Sequence, residues 1–336
     1  MTVENSVPAA SRTTVGLVGL GYWGPNLARN FDDLADLAWL CDLSPDLRDR
    51  YGTRYPHARM TNRFEDMLED SSVQAVIVAT PVPTHYDLAR RALSAGKHVF
   101  VEKPPALSGT EADELVALAE ERDLVLLPGH LLLYHPAVAK LRELIEAGEL
   151  GDILYIYGNR QNLGQIRKDE NALWSLGVHD LSVILHLVGE EPNELWARGE
   201  SFHHEGVEDV VFCYLRFPSG VVAHMHLSWL DPHKKREMTV VGRNKMAVFD
   251  DMELERKVTV YDKGTEQPAE SYGEWRTRTG DIYIPKIPND EPLRLECRHF
   301  LTLVAGDGDR LTAARDGAAV VRVLEQLQAS LERAPA

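Results

Sequence analysis

Three glycines, Gly19, Gly21 and Gly24, stand between the apolar run Val15-Gly16-Leu17-Val18 and an amphipathic segment carrying Leu27, Ala28 and Phe31. Strand, G-x-G-x-x-G turn and helix in that order make a phosphate cradle. The first glycine permits the bend, the second lets main-chain N–H groups approach a pyrophosphate, and the third lets the helix pack on the strand. The helix N-terminus then faces the phosphates. Tyr22 and Trp23 lie inside this turn and are counted with it. Asp42 ends the next apolar run, Leu37-Ala38-Trp39-Leu40-Cys41, about 20 residues beyond the glycines, where a carboxylate can accept hydrogen bonds from a ribose diol. Leu43 follows it where a phosphorylated ribose calls for a small polar or basic residue, so the pattern favours NAD over NADP, although Arg48 lies close.

Two further segments carry groups able to do chemistry. Ala79-Thr80-Pro81-Val82-Pro83-Thr84-His85 follows one apolar run, and Val101-Glu102-Lys103-Pro104-Pro105 ends another. Both sit at the carboxyl ends of expected parallel strands, the rim where open α/β sheets place ligands. Thr80, Pro81, His85, Glu102 and Lys103 therefore join the cofactor-side candidates. A lysine is ordinarily a solvated surface group. Lys103, held between Glu102 and Pro104 at that rim, reads instead as functional.

The elements that position these residues follow from periodicity. Helices are expected at Pro45 to Tyr51, Thr84 to Ala95 and Ser108 to Glu121, with Ser108 and Glu111 spaced as a capping box. Strands are expected at 75–79, 97–101 and 124–127. Such alternation builds a parallel sheet, here a six-stranded nucleotide domain complete by Leu127. Beyond Pro128-Gly129 the rhythm changes. A helix near Pro136 to Ala147 precedes alternating runs at Ile153 to Gln161, Leu195 to Phe202, Val210 to Phe217 and Val221 to Leu230. Period-two patterning and the turns Pro218-Ser219-Gly220 and Gly242-Arg243-Asn244 predict a large, mostly antiparallel open sheet in an α+β domain. The expected division is a dinucleotide-binding α/β Rossmann domain over 1–128 and an α+β substrate and oligomerisation domain over 129–336. An open sheet face predicts pairing with a second copy, as a homodimer or homotetramer. Leu311 to Leu331 reads as a packing helix.

Composition narrows the function classes. The 336 residues suffice for two domains with separate cores, and a net charge of −16 opposes general nucleic-acid binding. The cysteines Cys41, Cys213 and Cys297 are scattered without C-x-x-C spacing, so neither a disulfide framework nor a zinc site is expected and a reducing cytoplasm fits. The first dozen residues lack the pattern of a signal peptide and are expected to be disordered; no run reaches the length of a membrane span. His224 and His226 share a strand face but lack the context of a metal site, and no metal is expected.

With these motifs on the page, the chain resembles the Gfo/Idh/MocA family of nicotinamide-dependent oxidoreductases, whose EKP motif matches Glu102-Lys103-Pro104. The resemblance covers nearly the whole chain. It implies that Lys103 lies between nicotinamide and substrate, that the Lys103–Pro104 peptide is cis, and that a helix of the second domain supplies a proton-transfer histidine within Gly177-Val178-His179. The family's usual acid four residues before that histidine is replaced by Ser175, while Asp180 follows it. A pair of His179 and Lys103 suffices in principle, the histidine accepting a hydroxyl proton and the ammonium stabilising an alkoxide.

A narrower likeness rests on Gly21-Tyr22-Trp23-Gly24-Pro25-Asn26, on Gly129 to Pro136 (GHLLLYHP), on Asn159-Arg160-x-Asn162-Leu163-Gly164, and on Asn171-Ala172-Leu173-Trp174-Ser175. Together they are similar to the sugar-nucleotide 3-dehydrogenases, especially those acting on UDP-N-acetylglucosaminuronic acid. That likeness implies NAD-dependent oxidation of the sugar 3-hydroxyl, for some such enzymes with 2-oxoglutarate recycling the cofactor. A diphosphate substrate needs cations, and the acidic chain offers Arg160, Arg167, Lys168 and Lys234-Lys235-Arg236. Arg160, Asn162, Arg167, Ser175, Arg236, Lys103 and His179 are the substrate-side candidates. A ketoreductase of a dTDP-3-keto-deoxysugar and an inositol or free-sugar dehydrogenase are the rival enzymes. A cofactor-binding sensor on the same fold is the rival outside enzymes.

Overall fold

The computed structural model describes residues 12–164, 166–267 and 273–333. The disorder expected for the first dozen residues therefore concerns, apart from Arg12, residues outside those described. In chain order the elements are β1 (Thr14–Val18), α1 (Gly24–Leu34), β2 (Asp36–Cys41), α2 (Pro45–Arg54), β3 (Arg59–Thr61), α3 (Glu65–Glu69), β4 (Ala75–Val78), α4 (His85–Ser94), β5 (His98–Glu102), α5 (Gly109–Glu121), β6 (Leu126–Gly129), α6 (Pro136–Glu146), β7 (Ile153–Gln161), α7 (Val178–Val188), β8 (Glu194–Glu200), β9 (Val210–Arg216), β10 (Val222–Ser228), β11 (Lys235–Gly242), β12 (Met246–Asp250), β13 (Val258–Glu266), β14 (Arg276–Tyr283), α8 (Pro292–Val304) and α9 (Thr312–Glu332). Two compact units form. One runs through Gly129 and adds Leu293–Ala318, and the other comprises His130–Pro292 and the chain from Ala319.

The first unit is built on a parallel six-stranded sheet in the order β3-β2-β1-β4-β5-β6. The strand order reverses between β1 and β4, the switch point at which doubly wound sheets bind ligands. Continuous apolar runs form its centre because helices cover both faces: Ala75, Val76, Ile77 and Val78 of β4 are all buried. Ser108 caps α5 by accepting the Glu111 N–H at 3.2 Å, as its spacing predicts. β3 is too short to show a period and escapes sequence reading. β6 runs two residues later than expected and contains Pro128, which an edge strand tolerates because one row of its N–H groups needs no ladder partner.

The sequence division assigned everything beyond residue 128 to the second domain, whereas α8 packs in the first unit. Its Phe300 meets Phe31 and Phe100 edge-on, with ring centroids 6.0 and 5.8 Å away. One turn earlier on α8, Glu296 is 0% exposed, and neither carboxyl oxygen has a hydrogen-bond partner. Burial, then the negative charge of Glu102, raises its pKa well above the ordinary value. The folded chain thus keeps a proton that the unfolded chain releases above about pH 4.5. This contribution to stability is complete below that pH and is lost as pH rises toward the folded pKa. Glu296→Met is expected to stabilise the protein by roughly 1–3 kcal/mol at pH 8, and by less at pH 4.5, in urea titrations. Equal stability of the two proteins at both pH values would contradict it.

The second unit carries an eight-stranded sheet in the order β14-β13-β12-β11-β7-β10-β9-β8. All its neighbours are antiparallel except β7 and β10, which run parallel. The two sequence-marked turns join β9 to β10 and β11 to β12. β8 stops at Glu200, short of the expected Phe202, because the Asp209 carboxylate takes the N–H groups of Phe202 and His203 at 2.7 and 3.0 Å.

One face of this sheet is apolar core, with Ile156, Ala223, Met225, Leu215, Ala197 and Val240 among its buried residues. The other carries stacked rings: Trp196 on Tyr214 at 5.4 Å, Phe212 on His226 at 4.4 Å, and Tyr157 on His224 at 5.2 Å. His224 and His226 are thus packed against aromatic neighbours. Among the described residues no helix is long and apolar enough to cross a membrane.

Candidate active site

Four strand ends of the first unit build the cradle. After β1, Gly19 adopts φ +97°, and a Cβ there would lie 2.5 Å from the Ala79 carbonyl oxygen. A Cβ on Gly24 would strike the Gly19 carbonyl at 1.8 Å, so both positions require glycine. Nothing lies within 4 Å of a Cβ placed on Gly21, which leaves its backbone open to a ligand. Pro25 is the second residue of α1, in the first turn where a missing N–H costs nothing. The residues present fit a dinucleotide: bare backbone at the turn, an exposed Tyr22, and a helix N-terminus behind it.

Asp42 directly follows β2 and ties the turn to it. Its Oδ2 accepts the Leu20 N–H at 2.7 Å and its Oδ1 accepts the Ser44 N–H at 2.8 Å. Each oxygen keeps a further lone pair, so the carboxylate can organise the turn and still receive a ribose hydroxyl. Arg48, the nearby cation, donates to the carbonyl oxygens of Asp42 at 2.7 Å and Leu43 at 2.9 Å. Its guanidinium already has main-chain partners.

After β4, Thr80 and Pro81 lead into α4, with the Thr80 and Thr84 hydroxyls 2.7 Å apart. His85 was expected to face the cofactor. It is 1% exposed instead, with Nδ1 2.8 Å from the Pro104 carbonyl oxygen and Nε2 2.7 Å from that of Thr80. Both ring nitrogens are engaged by main chain, which leaves none for a ligand. After β5, Lys103 is half-buried, its N–H donates to Glu102 Oε2 at 3.2 Å, and the Lys103–Pro104 peptide is cis. Glu102 also receives a hydrogen bond from Trp23. Burial raises its pKa to about 7, while the neighbouring Lys103 charge opposes the rise. A carboxyl group that titrates near neutrality thus adjoins the rim lysine.

The second unit holds the remaining candidates. Leu173–Gly177 forms one wide π-helical turn, which sequence periodicity does not reveal, and α7 begins directly after it. π turns interrupt a helix's register and recur at functional positions. Half-buried Ser175 lies within this turn, and His179 is the second residue of α7, half-buried, with its carbonyl accepting the Ser182 hydroxyl at 2.8 Å.

Arg160 and Asp180 change the sequence picture. Arg160, expected to contact substrate, is 7% exposed, and its Nε and Nη2 both donate to Asp180 Oδ1, at 2.9 and 2.6 Å. Its guanidinium fork belongs to a buried ion pair that joins β7 to the first turn of α7, beside His179. Asp180 is the functional neighbour that sequence reasoning left without a partner. A carboxylate within the apolar helix VHDLSVILHLV was the signal. Arg236 is the cross-strand neighbour of Arg160 and is held by Asp251 at 3.4 Å. Asn162 lies just beyond β7 with its N–H on the Ser228 carbonyl at 3.0 Å. Arg167 is exposed and paired with Glu170; Lys234 is exposed in the turn before β11, and Lys235 is exposed as the first residue of that strand.

Comparison with known proteins agrees with this architecture. Residues 13–130 match the oxidoreductase family with an NAD-binding Rossmann fold, and residues 138–248 match the GFO/IDH/MocA C-terminal domain. The 2,7-anhydro-N-acetylneuraminate hydratase of Escherichia coli is 30% identical over 226 residues, which span 62% of this chain but only 59% of that protein. The UDP-N-acetylglucosamine 3-dehydrogenase of Acidithiobacillus ferrooxidans is 29% identical over 250 residues, covering 74% of this chain and 77% of that one. Its solved structure superimposes with a TM-score of 0.79 at 26% identity over 95% of this chain and 97% of that chain. GenD2 from gentamicin A biosynthesis, solved in complex with NAD, superimposes with a TM-score of 0.81 at 25% identity, over 99% of this chain and 98% of its own. The chain belongs to the Gfo/Idh/MocA family of NAD-binding oxidoreductases.

Proposed function

We propose that the protein oxidises the 3-hydroxyl of a nucleotide-linked amino sugar, UDP-N-acetylglucosaminuronate or UDP-N-acetylglucosamine, to the 3-keto sugar. The observation that carries this reading is the likeness to a UDP-N-acetylglucosamine 3-dehydrogenase along both units, in a chain that keeps Lys103 at the end of β5 and His179 at the start of α7. NAD, when bound, supplies the hydride acceptor. His179 accepts the hydroxyl proton, and the Lys103 ammonium stabilises the developing alkoxide. Asn162, Arg167 and Arg236 are the polar groups offered to the sugar and its diphosphate. Arg160 acts through Asp180 rather than by contact.

The test is direct. The purified protein is incubated with NAD and either sugar nucleotide, with 2-oxoglutarate as hydride acceptor, and keto-sugar and 2-hydroxyglutarate are followed by mass spectrometry. Keto-sugar from one substrate identifies the carbon-6 state that the site accepts; 2-hydroxyglutarate alongside it identifies cofactor recycling. Cofactor binding without product from either sugar, joined to a preference for NADPH, would favour the dTDP-3-keto-deoxysugar reductase. Asp42 weighs against that rival, because its carboxylate repels a 2′-phosphate.

We also propose that the ring-lined sheet face pairs with a second copy. Trp196 on the edge strand β8 and Phe212 on its neighbour β9 remain 43% and 48% exposed on it, each stacked on one further ring. Replacing both by glutamate is expected to convert the oligomer to monomer in light-scattering measurements. An unchanged mass would exclude this face.

A further inference from the structure

His85 is almost wholly buried, yet both ring nitrogens point at acceptors. Nδ1 lies 2.8 Å from the Pro104 carbonyl oxygen and Nε2 lies 2.7 Å from the Thr80 carbonyl oxygen. A carbonyl oxygen offers only lone pairs, and a neutral imidazole has one N–H. In either neutral tautomer, one contact would therefore set a nitrogen lone pair against an oxygen lone pair below 3 Å. Rotating the ring by half a turn would replace the nitrogens by carbons and lose both bonds. Only the doubly protonated ring satisfies the two carbonyls together.

We infer that His85 is a positioning residue whose ring ties the loop after β4 to the loop after β5, holding the main chain next to Lys103 through two hydrogen bonds that exist together only when the ring carries two protons. Thr80 and Pro104 are far apart in sequence, and the His85 ring bridges them. The main chain of Glu102 also favours the protonated ring, whereas the Lys103 charge disfavours it and burial disfavours it most. Burial prevails, so the ring's pKa lies below the ordinary histidine value and the second proton is held only on the acid side. The tether is complete on the acid side and keeps one bond when the ring is neutral. The two contacts also explain why a histidine at this rim does not itself meet the cofactor.

The experiment labels the histidine nitrogens of the intact protein with ¹⁵N and records the His85 resonances from pH 5 to 8, with His85→Gln used to assign them. Two protonated nitrogens at the acid end, with one N–H lost on a single titration lying below the ordinary histidine range, are expected. A single neutral tautomer throughout overturns the inference. A second measurement rests on the dehydrogenase reading: His85→Leu is expected to lower kcat by about 10- to 100-fold with little change in KM for NAD. His85→Gln, which keeps one donor, should recover part of the loss, and neither variant should retain the pH dependence of kcat assigned to this ring. Wild-type kcat and pH profile in His85→Leu would overturn the positioning role. Absence of any sugar turnover would count against the proposed substrate and leave the nitrogen spectra to decide on His85.

Discussion

Lys103→Ala and His179→Ala are each expected to reduce turnover by about 10²- to 10⁴-fold, the range for loss of a positioned acid, base or charge stabiliser. NAD affinity and folding should be nearly unchanged. The reason is positional. Lys103 follows the last residue of β5, between Glu102 and buried Pro104, so its main chain is anchored while its side chain is only half-buried. His179 occupies the first turn of α7, where the helix fixes its direction. If both act on one hydroxyl, the double variant will lose little more than the worse single variant, because residues acting as a unit are not additive. Stopped-flow measurement of NADH formation, with cofactor affinity by calorimetry, separates chemistry from binding. Full activity in both single variants would remove the pair from the mechanism.

Arg160→Ala is expected to destabilise the protein by about 3–5 kcal/mol, the cost of leaving a buried charge without its partner. Asp180 is only 3% exposed, and its second carboxyl oxygen, Oδ2, has no hydrogen-bond partner of its own. Gly158 lies so close that a Cβ there would come within 3.1 Å of that oxygen. Removing the guanidinium would therefore strand the carboxylate beside apolar Val178, Leu181 and Ile184 on the same helix. The double variant Arg160→Met, Asp180→Leu is expected to recover most of the stability, because apolar replacement of a whole buried pair is often neutral or better. Its activity should remain low, since the tie between β7 and the turn bearing His179 is gone. Urea unfolding of the three variants measures the first effect and sugar turnover the second. A loss below about 1 kcal/mol in Arg160→Ala, the range of an exposed pair, would refute the buried-pair account.

Glu296 and Arg160 show where sequence reading stops. Glu296 lies three residues after Leu293 and four before Phe300, the helical spacing of a buried stripe, yet the sequence expectations include no helix over 292–304. Nor does that spacing tell which unit α8 joins. Arg160 alternates correctly as an inward residue of β7, but inward there means toward a carboxylate twenty positions later, and period two carries no information about that partner.

The local features were legible because their causes are local. A tight turn that admits only glycine, a cap three residues from its N–H partner, a hairpin and a two- or 3.6-residue period each depend on neighbours a few positions away. Thus the residues alone determined the glycine cradle, the rim positions of Asp42, Thr80 and Lys103, the parallel-then-antiparallel order of the sheets, and a charge unsuited to nucleic acid. Only the tertiary structure decided that Asp42 receives the Leu20 and Ser44 N–H groups, that His85 serves two carbonyls, that Arg160 is paired with Asp180, that β10 lies parallel to β7, and that a π turn precedes His179. A polar group in water can choose any partner. Once buried, it must take whichever donor or acceptor the packed chain brings within about 3 Å, and that choice is made by distant segments meeting in space.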